Sequence, residues 1–118
     1  MKILVIDQDK FLAENLCRYL KQNKQIQIWC ISTINEVNAE VSKNKYDLII
    51  SELFMPGVED ENWLFEIEEK NPGQKYVIIS SYQIPNNFNL SEKLNIIAYY
   101  EKPFDVKIIA NLIKQLTN

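Results

Sequence analysis

The chain contains no histidine. This removes the commonest general base, any phosphohistidine chemistry, and a nitrogen ligand for zinc. Glycine is nearly as scarce. Only Gly57 and Gly73 occur in 118 residues, so no glycine-rich loop can follow a first strand, and a nucleotide-binding Rossmann-like domain is set aside. Cys17 and Cys30 are the only cysteines and lack CxxC spacing; buried, reduced thiols are expected. No apolar run approaches the roughly 20 residues that span a bilayer, and the amino terminus lacks the apolar segment of a signal peptide. A cytoplasmic location is the expectation. Basic excess is missing too: 13 Lys and Arg against 16 Asp and Glu leave a net charge of -3, with the lysines scattered. Direct nucleic-acid binding is not expected.

What is present has the size and composition of one soluble domain spanning 1-118, with 47% hydrophobic and 25% charged residues. Its central stretch is YDLIISELFMPG, Tyr46 to Gly57. Leu48-Ile49-Ile50 is too short for a helix and suits a strand buried on both faces of a parallel sheet. It runs into Ser51 and Glu52 and then a Met55-Pro56-Gly57 turn. A carboxylate thus stands where a buried strand emerges, which in open parallel sheets is where ligands gather.

The remaining chain repeats this design. Ile3-Leu4-Val5-Ile6 is a strand that ends in Asp7-Gln8-Asp9. From Lys10, helical spacing puts Phe11, Leu12, Leu16, Tyr19 and Leu20 on one face. Ile26, Ile28 and Cys30 alternate as in an edge strand, and Thr33 with Glu36 forms a capping-box pattern for a helix burying Ile34, Val37 and Val41. Asp60-Glu61-Asn62 opens a helix with Trp63, Leu64 and Ile67, in which Trp63 and Phe65 read as packing and surface residues, and Asn71-Pro72-Gly73 stops it. Tyr76 to Ile79 is a fourth strand delivering Ser80 and Ser81. A weakly periodic helix is expected over 85-94, with Phe88, Leu90 and Leu94 as anchors. Ile96 to Tyr100 forms a fifth strand before Glu101-Lys102-Pro103. The last helix opens near Asp105, with Val106, Ile109, Leu112, Ile113 and Leu116 inward. Five strands alternating with five helices imply an α/β doubly wound parallel sheet, with Asp7, Asp9, Glu52, Ser80 and Lys102 at one edge.

Clustered acids beside a hydroxyl and a lysine are what transfer of a phosphoryl group to a carboxylate requires: a nucleophile, acids for a divalent cation, and donors for phosphoryl oxygens. MKILVIDQD, YDLIISELFMPG, VIISS and YYEKPF occur in the order and spacing of one family. Over essentially its whole length the chain resembles the receiver domains of two-component response regulators, chemotaxis-regulator-like modules with the flavodoxin-like (βα)5 order 2-1-3-4-5. The resemblance implies that Glu52 stands at the phospho-acceptor position, normally aspartate. Gln8 stands where the second of two adjacent acids binds magnesium, with Asp7 and Asp9 completing the acidic pocket. It further implies that Ser80 senses the phosphoryl group, that Tyr99 is the switching aromatic, and that Lys102 is the family's lysine, preceding a cis bond to Pro103.

The departures suggest an atypical pseudo-receiver. Glutamate is one methylene longer than aspartate, and Gln8 offers magnesium no charge. No cofactor is expected, with only weak Mg2+ at Asp7 and Glu52 if any. Asp9 has a competing use as an N-cap, and Lys102 is expected to pair with Glu52 or Asp7. The longer Glu52 arm reaches toward Ser80 and Lys102, which suggests a fixed, active-like state working through protein contacts. Expected partners are a sensor kinase, an output domain or a second copy, met through the fourth helix, fifth strand and fifth helix of the family's fold. An output domain in a longer regulator is compatible with this chain. Two alternatives remain: a conventional receiver phosphorylated on Glu52, and a haloacid-dehalogenase-type phosphatase with Asp7 as nucleophile and Asp9 as general acid. The leading expectation is a signalling module and not an enzyme.

Overall fold

In the computed structural model, residues 1-58, 62-81 and 93-117 are described. The elements run β1 (Lys2–Ile6), α1 (Lys10–Leu20), β2 (Gln27–Ile31), α2 (Ile34–Lys43), β3 (Leu48–Glu52), α3 (Asn62–Lys70), β4 (Lys75–Ser80), β5 (Asn95–Glu101) and α4 (Val106–Thr117). The five strands form one parallel sheet in the order β2-β1-β3-β4-β5, the expected 2-1-3-4-5 topology.

The apolar runs are continuous because successive side chains leave a strand on opposite faces and both faces are covered. Leu4, Ile6, Ile49, Tyr76 and Ile78 enter one core with Val37 and Val41 of α2 and Trp63, Leu64 and Ile67 of α3. Ile3, Val5, Leu48, Ile50, Val77 and Ile79 enter the other with Leu16 and Leu20 of α1 and Ile109 and Ile113 of α4. Each fully buried aliphatic side chain stabilises the fold by about 1.5–3 kcal/mol.

Three expectations need amendment, and one falls outside the described residues. Phe11 is 77% exposed, while Ala13, Leu16, Cys17 and Leu20 are the buried face of α1. These four follow an i, i+3, i+4, i+7 series, and Phe11 lies nearly half a turn away from it. Leu64→Ala is therefore expected to cost about 2–5 kcal/mol in urea denaturation, and Phe11→Ser less than about 0.5 kcal/mol.

Thr33 precedes α2 in extended conformation, but its hydroxyl makes no bond to a helix N–H. It donates instead to Glu36 Oε1 at 2.7 Å, so the two residues meet side chain to side chain and neither reciprocal backbone bond of a capping box forms. The cysteines are not free thiols: Cys17 and Cys30 are joined in a disulfide, and Cys30 is exposed on the edge strand β2. A separation of 13 residues carries no local signal for this, because the packing of α1 beside β2 brings the pair together. Finally, residues 85-92 of the helix expected before β5, and Asp60 with Glu61, lie outside the described residues.

Candidate functional site

Parallel register brings four strand ends to one edge of the sheet. Ile6 pairs with Ser51, Glu52 with Ile79, and Ser80 with Glu101. Asp7 and Lys102 each lie one residue beyond their strands, so Asp7, Glu52, Ser80 and Lys102 converge as the sequence predicts. The turn after β3 needs a left-handed residue, and Gly57 supplies it at φ 90°. Asp7 is fully buried and Glu52 only 3% exposed. Two acids so deep in a protein need a counter-charge.

Lys102 provides it. Its Nζ lies 2.7 Å from Asp7 Oδ2 and 3.1 Å from Glu52 Oε2. The Lys102 backbone N–H donates to the Ser80 carbonyl at 2.8 Å, and the Lys102-Pro103 bond is cis. The Ser80 hydroxyl reaches Glu52 Oε1 at 3.5 Å, the outer limit of a hydrogen bond. Burial pulls the Lys102 ammonium down, but the bond to Asp7 and the charges of Asp7 and Glu52 outweigh it, holding Lys102 above the ordinary lysine range. Burial pushes the Glu52 carboxyl up, opposed by Lys102 and helped by Asp7. The centre is a bridged triad of two acids and one ammonium.

Asp7 is fixed from several sides. Its Oδ1 accepts the Asp9 N–H at 2.9 Å, and its own N–H donates to the Ile31 carbonyl at 3.2 Å. Asp9 does not join the triad. It caps α1, with Oδ1 accepting the Leu12 N–H at 3.1 Å, the competing use anticipated from its position. Gln8 is exposed. Tyr99 lies on β5 opposite Ile78 and is partly exposed.

Sequence reasoning missed Trp63 as a support. Its buried indole N–H donates to the Leu53 carbonyl at 3.2 Å and so pins the residue after Glu52. That contact spans ten residues, and only the folded chain shows it. The Phe54 backbone N–H also bonds the Glu52 carboxylate.

Magnesium wants several oxygen ligands in near-octahedral geometry, with carboxylates among them. Here Asp7 and Glu52 already hold an ammonium, Asp9 serves α1, and Gln8 brings no charge. Among the described residues no group of three or more His, Cys, Asp or Glu stands together as a metal site. With both buried carboxylates already on Lys102, the fit to magnesium is poor.

No helix among the described residues is long and apolar enough to cross a membrane. Solved structures share the fold. A two-component response regulator from Clostridium difficile is 22% identical, with a TM-score of 0.84, covering 99% of this chain and 95% of that one. The non-phosphorylated HemR receiver domain from Leptospira biflexa is 21% identical, with a TM-score of 0.84, covering 98% and 92%. The response regulator protein TrrA from Thermotoga maritima, in complex with Mg2+ and beryllofluoride, is 25% identical, with a TM-score of 0.78, covering 98% and 97%. The family model for the response regulator receiver domain matches residues 3–114. With that match over nearly its whole length, the chain belongs to the response regulator receiver domain family of two-component signalling.

Proposed function

We propose that this chain is an atypical receiver that works by protein-protein contacts without phosphorylation. The observation that carries this reading is the position of Lys102 Nζ between Asp7 Oδ2 and Glu52 Oε2, at 2.7 and 3.1 Å. In a phospho-accepting site such acids would hold a cation and accept a phosphoryl group. Here the glutamate extends its charge one methylene further and meets the ammonium directly. Ser80 and Tyr99, at the sensing and switch positions, then respond to a standing carboxylate. Residues 1-118 would act as one receiver domain in the cytoplasm, with Mg2+ bound weakly or not at all. Its partner would be a sensor kinase, an output domain or a second copy, meeting the surface of β5 and the adjoining α4; the fourth helix of the family's surface falls outside the described residues.

The structure of TrrA is in complex with Mg2+ and beryllofluoride, and the same mixture tests this chain. The thermal midpoint of the native protein should not move on adding Mg2+ and beryllofluoride. That of Glu52→Asp combined with Gln8→Asp should rise by several degrees, as ligand binding stabilises the folded state. A rise in the native protein would support the other reading, a phospho-accepting receiver that uses Glu52.

A further inference from the structure

The strongest feature outside the acidic edge is the Cys17–Cys30 pair. Cys17 lies on the inner face of α1, only 5% exposed, and Cys30 lies on the exposed edge of β2. Beside them is an open groove of about 390 Å3 lined by Glu14, Cys17, Arg18, Lys21, Ile28 and Cys30. Two cations against one acid make this groove attractive to an anion. Cys30 Sγ also lies 3.8 Å from the Ala13 carbonyl, an acceptor for a Cys30 thiol once the bond opens.

We propose that Cys17–Cys30 is a reversible thiol-disulfide site, opened at Cys30 by an anionic small-molecule thiol that docks against Arg18 and Lys21. Access selects the sulfur, because Cys30 is exposed and Cys17 is buried. The incoming thiolate attacks Cys30 Sγ, the bond to Cys17 breaks, and Cys17 leaves as a thiolate that takes a proton from water. A second small thiolate attacks the small-molecule sulfur of the mixed disulfide. This releases the symmetrical small disulfide and Cys30, which is protonated in turn. Two small thiols lose two electrons and the protein disulfide gains them. The same small disulfide, acting as oxidant, drives the reverse.

The pair clamps α1 to β2 on either side of Asp7. Asp9 caps α1 and bonds Asp7, and the residue after Cys30, Ile31, accepts the Asp7 N–H.

The test is alkylation with iodoacetamide followed by intact mass. After treatment with oxidised glutathione the native protein should take no alkyl group, and after reduction it should take two. Glutathione, an anionic thiol, should open the bond roughly 3- to 10-fold faster than the cationic thiol cysteamine at equal thiolate concentration. Arg18→Ser with Lys21→Ser should abolish that preference. Cys17→Ser should capture one glutathione at Cys30, and Cys30→Ser should capture none. Two alkyl groups on the oxidant-treated protein, equal opening rates for the two thiols, or capture by Cys30→Ser would each overturn the proposal.

Discussion

Replacing Lys102 with methionine is expected to cost about 3–5 kcal/mol of stability at pH 8. Two buried carboxylates, Asp7 and Glu52, lose the ammonium that lies 2.7 and 3.1 Å from them and are left facing each other. The loss should depend on pH with a definite sign. Glu52 is already raised by burial, and without Lys102 the pair of acids binds a proton more tightly still. The folded variant then holds a proton that the unfolded chain releases above about pH 4, so its stability falls as pH rises from there through the raised folded value, and it is less stable at pH 8 than at pH 5. The native protein has a dependence of the same sign at Lys102, but in a much higher pH window. Lys102 is raised, so its contribution is complete below the ordinary lysine value near pH 10.4 and is lost as pH rises through the higher folded value. Urea denaturation of native and variant protein at pH 5 and pH 8 checks this; a loss under about 1 kcal/mol, or one independent of pH, would contradict the bridging role.

The second large effect concerns phosphoryl acceptance. Shortening the acid with Glu52→Asp draws the nucleophile back by one methylene, about 1 Å, a displacement worth on the order of 10²-fold in a positioned reaction. It also loosens the contact with Lys102, freeing that ammonium for a phosphoryl oxygen. The single change should give slow labelling, because Gln8 brings no charge to a cation. Adding Gln8→Asp supplies a second carboxylate beside Asp7, and the double variant should be labelled at least about 10²-fold faster than the native chain. Equal rates in the single and double variants would show that Gln8 is irrelevant to the chemistry.

Much of this architecture could be read from the residues. Strand runs such as Ile3 to Ile6 and Tyr76 to Ile79 are short, apolar and followed by polar residues; strand-helix alternation in the sequence implies a doubly wound parallel sheet, and the resemblance supplies its 2-1-3-4-5 order. Asp7, Glu52, Ser80 and Lys102 were legible because each sits just after, or at the end of, a predicted strand, and parallel register carries strand ends to one edge. The misses share a cause. The exposure of Phe11 depends on which of two plausible helical faces meets the sheet, and Ala13 with Cys17 decides it. The disulfide, the indole bond from Trp63 to Leu53, and the use of the Thr33 hydroxyl on the Glu36 side chain are tertiary or rotamer choices that periodicity does not encode. Asp9 was readable as a cap from its position before Lys10, and its bond to the Leu12 N–H puts it there.

The central claim is that Glu52, held by Lys102, does not accept phosphate. The most direct measurement is the intact mass of the native protein after incubation with acetyl phosphate and Mg2+, alongside Glu52→Asp and Glu52→Asp with Gln8→Asp. The account predicts no added phosphate on the native chain and one phosphate on the double variant. A phosphate on the native protein that maps to Glu52 would contradict it and make this receiver a working phospho-switch with a glutamate acceptor.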